Sequence, residues 1–205
     1  MEPINEGNYP VSLMGELDPN LSRWLWLVKW LLAIPHFIVL FFLWIAFLVS
    51  TIIAFFGILF TRRYPQGLFT FNVGVLRWHW RVAFYCLSVL GTDRYPPFSL
   101  EPADYLATLE IEYPERLSKG LVLVKWWLLA IPHYLIISVL QGGGAPRFGG
   151  LNAVLVVIAV VGLLFTGRYN PDIYRLALGI NQWSMRVTAY AALMTDQYPP
   201  FRIGE

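Results

Sequence analysis

Charge is what this sequence has least of. Of its 205 residues, 14% are Asp, Glu, Lys or Arg and 57% are hydrophobic. A soluble domain carries about 25% charged residues, so too few ionic groups are present to cover a water-facing surface. The net charge of +2 is spread over scattered basic residues, which excludes the basic patch that a nucleic-acid partner requires. Cysteine is nearly absent. Cys86 stands alone, ruling out an internal disulfide and a thiolate metal cluster. Neither CxxCH nor HExxH occurs, no serine or cysteine sits in a nucleophile elbow, and Gly142-Gly143-Gly144 lacks the following Lys-Ser/Thr of a phosphate loop. No enzymatic activity and no cofactor are expected. The first six residues lack the basic region of a signal peptide, so the first apolar segment is expected to stay in the mature chain.

What is present is apolar length. Residues 38–60 and 153–165 contain no charge, and about 20 such residues cross a bilayer core. The nine tryptophans and eleven tyrosines crowd the ends of these runs, as interfacial belts do. The composition predicts a multi-pass protein of the cell membrane, with lipid as a partner and a second protein in a membrane complex as another.

Self-comparison decides the organisation. Leu31-Leu32-Ala33-Ile34-Pro35-His36 recurs as Leu128-Leu129-Ala130-Ile131-Pro132-His133, and Gly57 to Tyr64 recurs as Gly162 to Tyr169. Trp78 and Arg81 return as Trp183 and Arg186. Thr92-Asp93-Arg94-Tyr95-Pro96-Pro97-Phe98 returns as Thr195-Asp196-Gln197-Tyr198-Pro199-Pro200-Phe201. Four blocks in one order define two tandem repeats, 1–102 and 103–205.

Each repeat opens on an alternating stretch, residues 9–13 and 108–113, that predicts a strand with one buried face. A second extended piece is expected after each Tyr-Pro-Pro-Phe, because proline forbids helix there. The fold class predicted is therefore mainly α and integral to the membrane, two or three helices per repeat, with a small extramembrane β-sheet built from both. Sharing that sheet requires an even number of crossings per repeat. Residues 22–61 would measure about 60 Å as one helix, and Pro35 is expected to break it. Residues 141–150, rich in glycine, read as a loop. Two arrangements fit: an interfacial or re-entrant first helix followed by one long crossing and a last helix near 70–91 and 172–194, or a hairpin of two crossings with that last helix in the interface.

The last helix carries a polar stripe. At 100° per residue, Gly74, Arg77, Arg81 and Tyr85 share an arc, and Gly179, Gln182, Arg186 and Tyr190 repeat it. A charge at bilayer depth costs roughly 2.5–3.5 kcal/mol, so these arginines need a partner. Two readings follow: pairing with Asp93, Asp196 or backbone carbonyls, or a lipid or anion site at Arg77, Arg81, Arg186, Gln182, Tyr85 and Tyr190. The repeat mates His36 and His133 are the candidates for haem or metal ligation, against the alternative of bonding to carbonyls that the preceding proline frees. Asp93 and Asp196 read as capped turns rather than as acids in a reaction.

Tyr113-Pro114-Glu115-Arg116-Leu117-Ser118, the two Leu-Leu-Ala-Ile-Pro-His blocks, Arg77-Trp78-His79-Trp80-Arg81-Val82 and the two Thr-Asp-x-Tyr-Pro-Pro-Phe blocks resemble a bacterial membrane family catalogued as domain of unknown function 4389, in two copies. Arg62 stands where that family's pattern has glycine, Asn170 where it has proline, and Gln182 where it has the first arginine. The resemblance implies a tandem membrane protein and no particular activity. The function expected is a non-catalytic scaffold or accessory subunit, with a small transporter or channel, or a haem- or pigment-binding subunit, as alternatives.

Overall fold

Proline places the first break. The helical run that starts near Ser22 stops at Ala33 and resumes with Pro35 in its first turn, where proline needs no hydrogen-bond donor. The structure, a computed structural model, describes residues 9–142 and 150–204. In chain order these form β1 (Val11–Gly15), α1 (Trp26–Leu32), α2 (Ile34–Thr61), α3 (Gln66–Cys86), β2 (Ala107–Ile111), α4 (Lys119–Val124), a π-helical turn (Lys125–Leu129), α5 (Ile131–Gln141), α6 (Leu151–Thr166) and α7 (Pro171–Ala191). The last helices thus lie a few residues earlier than the expected 70–91 and 172–194. Residues 143–149 of the expected loop lie outside the described residues. Gly142 and Gly150 on either side abut, since a Cβ on Gly150 would collide with the backbone of Gln141 and Gly142.

The shared sheet is present and has two strands, one from each repeat. β1 and β2 pair antiparallel, with Leu13 opposite Leu109. Val11, Leu13, Leu109 and Ile111 are buried beneath it, while Thr108 and Glu110 face outward. The extended pieces expected after Tyr-Pro-Pro-Phe do not join it: residues 99–104 and 202–204 are non-strand tails. They lie across Gly74 and Gly179, where a Cβ would come within 2.8 Å of Leu100 and 2.6 Å of Ile203. The two prolines and the crowding against α3 and α7 take these segments away from the strand edges.

The order of layers follows from α3. Asn72 reaches Ser50 and Tyr64 on the α2 side, and Trp78 reaches His36 there. Arg77 and Trp80 donate to the carbonyls of Leu109 and Met14 in the sheet. Asn72 and Arg81 are nine residues apart, roughly 180° around a helix. Hence α3 and α7 form a middle layer, with the sheet and tails on one side and α1, α2, α4, α5 and α6 on the other. By length and composition α2 is able to cross a bilayer, and most of its apolar surface is exposed. The other candidate is the pair 119–129 and 131–141, bent by 42°. The structure therefore contains one clear membrane-span candidate among the described residues.

Candidate functional site

Each repeat builds the same buried constellation where its two most conspicuous motifs meet. Lys29 and Lys125 sit on the helix that precedes Ile-Pro-His and are 2% and 0% exposed. Their ammonium groups pair with Asp93 and Asp196 at 2.7 and 2.8 Å and donate to the carbonyls of Thr92 and Thr195 at 2.7 and 2.8 Å. The other carboxylate oxygen of each aspartate accepts the backbone N–H of Ser22 or Ser118. The lysines also lie over the rings of Tyr85 and Tyr190, 5.2 and 5.5 Å from the centroids. A buried ammonium is tolerable only with such a full set of partners.

Beside the ion pair, the aromatic residues of Tyr-Pro-Pro-Phe enclose the histidine of Ile-Pro-His. His36 stacks on Phe98 at 3.9 Å and His133 on Phe201 at 4.2 Å. Trp78 and Trp183 donate to their Nδ1 atoms at 3.0 and 3.2 Å, and Tyr95 and Tyr198 donate to the carbonyls of Leu32 and Leu129. Since Nδ1 accepts, it carries no proton. The two histidines are enclosed separately, each by residues of its own repeat, so they do not face one another across a shared ligand. No group of three or more His, Cys, Asp or Glu side chains placed to hold a metal occurs among the described residues.

The stripe residues are held mostly by backbone. Arg81 donates to the carbonyls of Ser99 and Glu101, and Arg186 to those of Arg202 and Gly204. Arg77 donates to Leu100 and Leu109, both at 3.1 Å. Gln182 donates to Leu13 at 2.9 Å. Arg77 of the first repeat therefore holds the strand of the second, and Gln182 of the second holds the strand of the first. Tyr85 and Tyr190 face the lysines. Of the partners expected for the arginines, backbone carbonyls fill the role; the aspartates go to the lysines instead. Nearby, Tyr105 donates to the carbonyl of Arg94 at 2.9 Å, and burial pushes its phenol pKa up.

Lys29 and Lys125 were within reach of sequence reading, because Leu-Val-Lys-Trp recurs at 27–30 and 123–126. The signal is obscured by an extra tryptophan, which lengthens the spacing from lysine to histidine from seven residues to eight. The structure absorbs that residue as the π turn. Ala33 donates to Lys29 four residues back, whereas Ala130 donates to Lys125 five residues back. The wider turn restores the facing of lysine and histidine.

The model of the family described as Domain of unknown function (DUF4389) matches residues 23–99 and 122–202. The chain belongs to this family. It carries two tandem copies, and each matched region encloses one complete lysine–aspartate–histidine constellation. No curated protein and no solved structure matches the chain. The three departures from the DUF4389 pattern all have local accounts. Arg62 adopts φ 60°, the left-handed conformation that Gly167 adopts at φ 71° in the second copy, which is why glycine suits that helix end. Asn170 caps α7, accepting from the N–H groups of Asp172 and Ile173, at the position where Pro65 precedes α3. Gln182 keeps the strand hydrogen bond of Arg77 without its charge.

Proposed function

We propose that this protein is an integral membrane scaffold or accessory subunit without catalytic chemistry, held in lipid by the α1–α2 and α4–α6 layer and presenting the sheet face to a protein partner. The observation that carries this reading is the segregation of exposed groups. From Trp24 to Phe60 and from Leu121 to Gln141 no charged residue is exposed, while Phe42, Leu48 and Val139 are 64%, 61% and 70% exposed. Patches of this size mark lipid or protein contact. The opposite face carries Glu101, Asp104, Glu110 and Glu112, which suits a basic partner surface. The lysine–aspartate–histidine constellations support a structural role, because their polar groups are turned inward onto carbonyls and rings. A transport path would need polar groups turned toward a passage, and the guanidiniums of Arg81 and Arg186 face the tails.

The test is fractionation followed by purification in mild detergent. The protein is expected to resist alkaline carbonate extraction and to retain a stoichiometric partner that Glu110→Lys with Glu112→Lys releases. Recovery of the chain in the soluble fraction would overturn the membrane reading. A chain that retains no partner in mild detergent would overturn the scaffold.

A further inference from the structure

The proposed membrane reading leaves two directions for α2, and the order of the layers distinguishes them. We infer that the apolar layer lies within one leaflet, with its helix axes parallel to the bilayer plane and its ends at headgroup phosphates, so that α2 does not cross. The inference rests on the membrane reading above and concerns only how the protein sits in the lipid.

Three observations lead there. First, the sheet runs alongside the helices. Going along the chain from Leu109 to Tyr113, the partners on α3 run backward from Arg77 to Phe69, whose ring meets that of Tyr113 at 5.0 Å. β2 is thus antiparallel to α3, and α3 is antiparallel to α2, where Asn72 meets Ser50 and Trp78 meets His36. An upright α2 would carry the sheet, with Glu110 on its outer face and its unpaired edges, to bilayer depth. Hydrocarbon does not accept open sheet edges, and the carboxylate adds a further cost.

Second, the repeat axis passes through the Leu13–Leu109 pair, because those residues are repeat mates facing each other across the sheet. It carries the Lys29 constellation onto the Lys125 constellation. The Lys29 constellation adjoins the start of α2 through the Tyr95–Leu32 bond. The Lys125 constellation adjoins its end, where Leu117 donates to the carbonyl of Arg62. The two thus lie toward opposite ends of α2, whose 28 residues measure about 42 Å of helix. Exposed basic residues gather at both ends: Arg62, Arg63 and Arg116 at one, and at the other Arg23, whose guanidinium lies over Gly167, with Arg168. The exposed face of α2 is a stripe, Ile38, Phe41, Ile45, Leu48, Ile52 and Phe56, with the buried residues opposite. Cations at both ends of one apolar face suit both ends lying at headgroup level.

Third, neither of the two helices that match α2 in the second repeat is long enough to span by itself. α5 and α6 hold 11 and 16 residues, about 16 and 24 Å, and a bilayer core is about 30 Å. Between them Gly142 and Gly150 abut. That break falls near the middle of the stretch that matches α2, where an upright helix would be at the bilayer centre.

The repeat mates Arg94 and Gln197, both exposed and one at each constellation, make the test. Single-cysteine variants Arg94→Cys and Gln197→Cys, in a Cys86→Ala background, are treated with a membrane-impermeant maleimide in spheroplasts and in inside-out vesicles. Both positions are expected to label in one preparation and neither in the other. Labelling in opposite preparations, which a crossing α2 requires, would overturn the inference while leaving the membrane reading intact. If either variant fails to accumulate, Asn20→Cys and Arg116→Cys report the same two ends. Carbonate extraction of the same membranes keeps the two questions separate, since release of the chain would remove the membrane reading itself.

Discussion

At the scale of single residues, the most consequential pairs are Lys29–Asp93 and Lys125–Asp196. Each lysine is almost wholly buried, while the aspartates keep about a fifth to a quarter of their side-chain surface in solvent. Removing one partner of such a pair leaves an uncompensated charge, at a cost of about 3 kcal/mol. Asp93→Asn is therefore expected to lower the thermal midpoint in detergent substantially, and Lys29→Met added to it is expected to recover most of the loss. A double-mutant cycle measures the difference. Arg62 is the converse case. A non-glycine residue in the left-handed region costs about 1–2 kcal/mol, so Arg62→Gly is expected to raise stability by about 1 kcal/mol in the same assay. Leu90 and Leu193 share this conformation, at φ 57° and 66°, two residues before Thr92 and Thr195. Strain held at the same turn in both copies fits a bend that must deliver Thr-Asp to the lysine.

At the scale of elements, the π turn at Lys125–Leu129 is an insertion accommodated without loss of the site. Deleting Trp127 would return the second copy to the seven-residue spacing of the first. The deletion is expected to be tolerated, with the thermal midpoint unchanged or higher, because a regular α turn replaces the poorer π geometry. Loss of folding would show that the tryptophan itself is needed. The same comparison explains why the last helices carry glycine. Gly74 and Gly179 admit the tails that Arg81 and Arg186 hold. Gly74→Val is expected to cost about 1–3 kcal/mol by overpacking, although valine has the better helix propensity.

At the scale of the molecule, the copies are joined by reciprocal bonds. Arg77 reaches β2, Gln182 reaches β1, Tyr113 donates to the carbonyl of Tyr64, and Lys119 donates to that of Phe60. Each repeat therefore leaves strand and helix ends without partners when alone. Chains 1–102 and 103–205 expressed separately are expected to be degraded, and expressed together to co-purify as a complex. Independent accumulation of either one would contradict this interlocking.

Much of this was legible in the amino-acid sequence. Block order determined two tandem copies, composition a helical fold of low charge, and alternation a small sheet drawing a strand from each, because composition, periodicity and duplication are properties of the chain itself. The stripe of Arg81 and Arg186 was legible as residues in need of partners, and carbonyl groups stood among the expected ones. Which carbonyls, and which charge the aspartates meet, was decided only by the tertiary structure. The extra tryptophan hid the lysines from block matching, and only a three-dimensional turn shows that the inserted residue is absorbed. The tails could not be kept out of the sheet from sequence either, since an extended segment after two prolines reads like a strand until a helix glycine is found beneath it. Periodicity reports which faces are apolar. Which way those faces point depends on the order in which the layers stack, and long-range packing of α2, α3 and the sheet sets that order.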